Sequence, residues 1–177
     1  MRARLVCIAA LTLAIVPRLT SAQLFSGKVA VVSVQPLTSM LTVYAGEAEL
    51  AMSRSASIGI GGTYWSPDVI DGHFRYLSGD LKVRFYPEGR PFQGFSVGGS
   101  VGVTHLSATD DASSSTGDAT GASFGVMLDY GWLLGESKSF YVGLGVGAKT
   151  LLISDKDVAD TATLHYPTAR ISIGWAF

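Results

Sequence analysis

Apolar and polar residues alternate with a period of two along most of the chain. In "FSVGGSVGV", Phe95, Val97, Val101 and Val103 alternate with Ser96, Gly98, Ser100 and Gly102. In "FGVMLDYGW", Phe124, Val126, Leu128, Tyr130 and Trp132 alternate with Gly125, Met127, Asp129 and Gly131. "FYVGLGVGAK" repeats the pattern from Phe140 to Ala148, against Gly143, Gly145, Gly147 and Lys149. Shorter versions surround Ile58, Ile60, Leu81, Val83 and Phe85, and the chain closes on another, "ARISIGWAF". Successive strand residues point to opposite faces, so this period marks strands with one apolar face. No comparable helical period is present.

Turn residues divide the pattern. Short connections are expected at 53–55, 87–91 and 134–138, longer polar ones at 66–72, 107–118 and 154–160, with a further break at 35–37. Between them the spacing predicts eight strands, near 28–35, 39–52, 55–65, 74–86, 92–106, 120–133, 139–152 and 162–177. Alternating short and long connections are the asymmetry of an outer-membrane barrel, with tight periplasmic turns and longer external loops. An even strand count then places both termini on the periplasmic side.

The strand charges separate a barrel from a soluble sandwich. Glu47, Glu49, Asp80, Lys82, Arg84, Asp129, Lys149 and Arg170 all fall on the face opposite the apolar series. The set is neutral, four acids against four bases. On a lipid-facing wall each Arg or Lys near mid-membrane would cost roughly 2–4 kcal/mol, whereas inside a narrow barrel the charges can pair. Glycines crowd the same face and leave room for long side chains. Glu49 is expected to pair with Lys82 or Arg84, and Asp129 with Arg170. Tyr44, Tyr64, Phe85, Phe95, Phe124, Trp132, Phe140, Trp175 and Phe177 fall on the outer face, many near strand ends, as interfacial girdles do. Trp65 falls on the inner side at an outer strand end, where it would cap the lumen.

The N-terminus adds the export route. Arg2 and Arg4 precede an apolar run from Leu5 to Val16, which ends in "LTSA" before Gln23. This is the order of a secretory signal peptide, expected over residues 1–22, with the barrel domain over 23–177. The run is too short for a transmembrane helix, which needs about 20 residues. Cys7, the one cysteine, leaves with the signal, so the mature chain has no disulfide. Losing Arg2, Arg4 and Arg18 changes 13 basic residues to 10 against 14 acids, a net charge of −4. No basic run suggests nucleic acid.

"ARISIGWAF" resembles the C-terminal signature of Gram-negative outer-membrane barrels, in which alternating apolar residues end on an aromatic. The resemblance implies that Ile171, Ile173, Trp175 and Phe177 are read by the barrel-assembly machinery. "LKVRFYPEGRPFQGFSVGGSVG" is similar to a family of small uncharacterised outer-membrane barrels. The wider OmpA/OmpX-like class implies an eight-stranded up-and-down barrel with a narrow, plugged, polar interior and no wide pore.

Three functions follow as expectations. The first is a non-enzymatic, monomeric outer-membrane barrel with a structural or surface-interaction role. It would contact outer-membrane lipid and lipopolysaccharide, and Asp68, Asp71, Asp110, Asp111, Asp118, Asp155, Asp157 and Asp160 would crowd its external rim. The second is a lipid A-modifying hydrolase. "THLSATDD" sets His105 and Ser107 on one face, and the His-x-Ser pair resembles that of outer-membrane lipid A deacylases, in which a histidine base activates a serine. Asp110, Asp111 or Asp118 would be the orienting acid. The third is a narrow small-solute channel along Glu47, Glu49, Lys82, Arg84, Asp129, Lys149 and Arg170. No metal-ligand spacing joins His73, His105 and His165, which are expected on three separate loops, and no cofactor is expected.

Overall fold

Alternation at this period can satisfy every backbone N–H and C=O only if each strand finds two neighbours, and a ring of strands supplies them without an edge. The computed structural model describes residues 27–39, 42–69, 72–110, 115–154 and 161–177. The expected signal peptide, residues 1–22, lies outside the described residues, as do Asp71, Asp111, Asp155, Asp157 and Asp160. The elements are β1 (Ala30–Val34), α1 (Pro36–Ser39), β2 (Val43–Ala51), β3 (Ala56–Trp65), β4 (Asp68–Val69), β5 (Gly72–Phe85), β6 (Gly94–Asp110), β7 (Ser115–Leu134), β8 (Phe140–Ser154) and β9 (Thr161–Ala176).

Each long strand pairs antiparallel with the next, β3 reaching past β4 to β5, and β1 closes on β9. The result is an all-β, eight-stranded, antiparallel up-and-down barrel. The two-residue β4 is an annex on β5, with Asp68 opposite His73. From Val34, the register runs through Gly46, Gly62, Gly79, Val103, Ala122 and Leu152 to Thr163. Val34 itself pairs with Ile173, so the stagger around the barrel is ten residues, the separation of Thr163 from Ile173. A stagger of this size accompanies strands tilted by roughly 35–45°.

The barrel is inside out. Among the described residues six apolar side chains are buried, against thirteen polar or charged ones. Val126 is 67 % exposed on the outer wall, while Arg84 is 2 % exposed within. A soluble sandwich would reverse this distribution, burying its apolar face between sheets. Nine aromatics from Tyr44 to Phe177 that the sequence places outside are all exposed.

The element bounds depart from expectation in three places. The first strand is five residues long because Pro36 follows: it has no N–H for a ladder and starts α1 instead, so β2 begins only at Val43. The polar stretch 107–118 is mostly strand, with β6 and β7 paired as far as Asp110 and Ser115. Polar side chains there report contact with water, not an end to backbone pairing. His73, His105 and His165 accordingly lie on β5, β6 and β9 rather than on loops. Apart from the two-residue β4, the observed strands run from five to twenty residues, against eight to sixteen expected.

The end of the barrel that carries Phe177 is called here the near end. It is tied by the Val29 N–H donating to the Phe177 carbonyl at 2.7 Å and the Phe177 N–H donating to the Ala30 carbonyl at 2.9 Å. Just inside it, Val31, Phe92, Tyr141 and Ala176 form a small apolar cluster, flanked by Ala51 and Leu133. Phe92 is supplied by the turn before β6 and sits at φ 66°, a left-handed backbone that costs a bulky residue about 1 kcal/mol or more. Its side chain is 1 % exposed and meets Tyr86 edge to face at 6.3 Å.

Candidate functional site

Even-numbered residues of β5 and β9 and odd-numbered residues of β2, β7 and β8 point into the lumen, because the strand period leaves them no other face. Glu47 and Glu49 enter from β2, Asp80, Lys82 and Arg84 from β5, Asp129 from β7, Lys149 from β8 and Arg170 from β9.

Arg84 holds the centre. Its Nη1 lies 2.5 Å from Glu49 Oε2, its Nη2 2.6 Å from Glu47 Oε1, and its Nε 3.0 Å from Asp129 Oδ2. Arg170 closes the circuit, with Nη1 2.8 Å from Glu47 Oε2 and Nε 2.9 Å from Asp129 Oδ1. The Lys82 ammonium donates to Glu47. Tyr86 Oη donates to Glu49 Oε1 at 2.6 Å, and the Ser57 hydroxyl donates to the same oxygen. A planar guanidinium with five donors in a fixed fork suits this position, since it can serve several carboxylates at once. Further from the near end, Lys149 Nζ donates to Asp80 Oδ1 at 2.7 Å and Oδ2 at 2.9 Å, and Ser123 Oγ donates to Oδ1 at 3.2 Å.

Glycine makes this crowding possible. A Cβ on Gly145 would run into the carboxylate of Asp129 and the side chain of Arg170, and one on Gly98 would meet Arg84 Cγ at 3.0 Å.

Above the ion pairs lies a chamber of about 330 Å³. Asp80, Lys82, Asp129, Lys149 and Arg170 supply its charges, and Thr63, Tyr76 and Tyr166 line it further along. Trp65, inward-facing at the far end of β3, packs edge to face on Phe74 with ring centroids 5.5 Å apart. Among the described residues no cluster of His, Cys, Asp and Glu has the arrangement of a metal site.

The structure gathers Glu47, Glu49, Lys82, Arg84, Asp129 and Arg170 into one network and places Lys149 in a second pair with Asp80. Sequence reasoning counted Asp80 among the inner charges but did not give Lys149 a partner, and it missed Tyr86 and Phe92. Tyr86 was readable, since it continues the inward series of Lys82 and Arg84. Phe92 was expected at the start of the strand 92–106, but it lies in the turn before β6, where strand parity alone does not say that the ring closes over the end of the lumen.

His105 and Ser107 share the outer face of β6. The His105 Nδ1 lies 3.1 Å from Thr120 Oγ1 and its Nε2 3.9 Å from Asp118 Oδ1. Both ring nitrogens thus face β7, and Asp118 is the register partner of Ser107. The structure therefore brings Asp118 to the histidine but aims neither nitrogen at the serine. The side chains of Asp68 and Asp110 lie outside the described residues. On β9, Ile171, Ile173 and Trp175, with Phe177 after them, present exposed side chains in a row on the outer wall.

No family model matches this chain, and no curated protein matches it. Among solved structures it is similar to the N-terminal β-barrel domain of OprF from Pseudomonas aeruginosa. The TM-score is 0.51 at 18 % identity, over 85 % of this chain and 98 % of that one. At this identity the likeness concerns the fold: an eight-stranded barrel of the outer-membrane type.

Proposed function

We propose that this chain is an integral outer-membrane barrel with a sealed lumen, serving a structural or surface-interaction role, with both termini in the periplasm. The observation that carries the reading is the pairing of an apolar outer wall with a lumen crossed by Arg84 and its three carboxylates and stopped by Phe92. Such a wall is stable in lipid, and such a lumen leaves no continuous water path. Its neighbours are then outer-membrane lipid and lipopolysaccharide. A closed ring needs no partner strand to remove its edges, which supports a monomer. The row Ile171, Ile173, Trp175 and Phe177 is the segment the assembly machinery would read. Phe177→Ala would lower the amount of barrel in the membrane while leaving refolding in detergent unchanged, because the main-chain bonds of Phe177 to Val29 and Ala30 persist.

Two measurements test the proposal. Extracted protein should run faster on gels before heating than after, as closed barrels do, and planar bilayers holding it should show no steady conductance. Solubility without detergent, or a steady current, would overturn it.

The juxtaposition of His105 with Asp118 keeps a second reading open, a hydrolase acting on lipid A at the outer rim. It requires Ser107 as nucleophile and a rotation of the imidazole toward it. Lipid A acylation that is identical in cells carrying wild type and Ser107→Ala would eliminate this reading.

A further inference from the structure

Main-chain groups in a hydrocarbon layer have no water to bond, so strand backbone without a neighbour persists at that depth only where protein covers it or a polar cavity reaches it. The β1 side of β9 meets this condition. β1 pairs with β9 only as far as Val34 opposite Ile173, and the chain then turns into α1. The Gln35 N–H donates to the Ala45 carbonyl of β2 at 3.0 Å, and Thr38 Oγ1 donates to the Gln35 carbonyl at 2.8 Å. The chain is thus tied to β2 and to itself rather than to β9. Among the described residues no strand lies beside β9 on that side beyond Ile173. On its other side Pro167, Ala169 and Ile171 pair with Ala148, Val146 and Leu144, whose exposed side chains belong to the apolar outer wall. The break therefore lies within the apolar band. The chamber comes out at the same place: its lining runs from Lys82 and Arg170 in the lumen to Gln35 at the end of β1 and to Pro167, Thr168 and Ala169 on β9.

Charge and hydrogen bonding define what this seam takes. The cations behind it are already matched: Lys82 and Arg170 pair with Glu47, Arg170 also with Asp129, and Lys149 with Asp80. A charged guest would give up its hydration without gaining a counter-ion, so the complementary head is uncharged. The Phe177 N–H donates to Ala30, so the main-chain groups of odd-numbered β9 residues face the break. There Ala169 presents an N–H and a C=O, and Pro167 a C=O alone. A head with hydroxyl and ester groups both donates and accepts, as this edge requires, and an apolar chain suits the wall around Val34 and Ile171, both exposed. We propose that the seam between Gln35 and Pro167–Ala169 is a lateral binding site for an uncharged, membrane-borne amphiphile of the acylglycerol kind. Its head enters the chamber from the side and its chain stays on the outer wall. The site rests on the membrane-spanning reading of the barrel, and not on whether the Arg84 tier conducts.

The test uses the full-length barrel inserted in phosphatidylcholine vesicles. The probe is 1-monolauroylglycerol with a diazirine beside its ester, and its adducts are mapped by peptide mass spectrometry after illumination. Adducts should concentrate at Gln35 and from Pro167 to Arg170, saturate with probe, and fall when unlabelled monolauroylglycerol is added. Laurate and dodecylammonium, which bring a charge, should compete about tenfold less well. Thr168→Trp, which fills the chamber behind the seam, should reduce the adducts there to the level found elsewhere on the wall. Val97→Trp, on the outer face of β6 across the barrel, should leave them unchanged. The competition series needs no variant, so it decides the matter if Thr168→Trp does not fold. Adducts spread evenly around the wall, adducts that do not saturate, equal competition by the charged amphiphiles, or unchanged adducts in folded Thr168→Trp would overturn the proposal. Heat-dependent gel mobility of the same samples tests the barrel separately. A folded, inserted barrel with even labelling sinks the site and leaves the membrane-spanning reading in place.

Discussion

One guanidinium, that of Arg84, contacts three carboxylates drawn from two strands on either side of β5. Removing it leaves Glu47, Glu49 and Asp129, all three buried, with too little positive charge. Breaking a buried pair in this way costs about 3–5 kcal/mol. Arg84→Ala should therefore lower the urea midpoint of the refolded barrel by that equivalent. Arg84→Lys should recover little, because an ammonium lacks the planar fork that reaches three partners. A midpoint unchanged in Arg84→Ala would show that the network holds nothing together. The glycines supply a paired control. Gly145→Ala pushes a methyl group into Asp129 and Arg170, whereas a Cβ on Gly79 meets nothing within 4 Å. The first should destabilise the barrel measurably in the same urea titration and the second should not. At this scale the sequence tells which side chains share the lumen, because parity settles it. Glu47 shows what parity leaves out: it meets Arg84, Lys82 and Arg170 together. Those contacts follow from the tilt and stagger of the closed barrel, which no single strand encodes.

Among the elements, β1 is the one whose shortness matters most. It pairs with β9 only from Val31 to Val34, opposite Ala176 to Ile173. Beyond that point β9 continues to Thr161 with no strand of the described residues on its β1 side. The bonds at the near end fix the parity of its amides. The Phe177 N–H donates to Ala30 and the Ala176 N–H donates to Ser139, so odd-numbered amides of β9 face β1 and even-numbered ones face β8. Pro167 is odd, and its missing N–H falls on the side without a strand, where proline is tolerated and discourages strand addition. Hydrogen exchange should expose the same asymmetry. The amides of Ala169 and Ile171 should exchange faster than those of Arg170 and Ser172, whose register partners Gly145 and Gly143 lie on β8. Equal protection would mean that the β1 side is sealed as well as the β8 side. Strand existence was legible from alternation in β3 and β5 to β9, while β1 and β2 were read from the spacing of the turn signals around them. The early stop of β1 was signalled by Pro36, but its depth in the wall was not. The extension of β6 to Asp110 and of β7 back to Ser115 was hidden, because a ladder beyond the apolar band has no greasy face to reveal it.

Across the whole molecule the lumen is built in tiers. The apolar cluster around Phe92 lies at the near end, the Arg84 network follows, and the chamber with Lys149 and Asp80 comes next. On the proposed sealed-lumen reading the first two tiers close the same passage in series, and a passage with two closures stays shut while either remains. This separates a sealed barrel from a gated one by experiment. Phe92→Ala removes a buried ring, at about 3–5 kcal/mol of stability, yet leaves the guanidinium and its carboxylates across the lumen. Arg84→Ala opens the ionic tier yet leaves the ring below it. Neither single variant should conduct in planar bilayers, and the double variant should, provided heat-dependent gel mobility shows that it is still a closed barrel. A current through Arg84→Ala alone would place the whole seal in the ion pairs, and with it the capacity of a charge rearrangement to open a pore. A silent double variant would locate a third closure further along, where Trp65 packs on Phe74 and Tyr76 and Tyr166 line the wall.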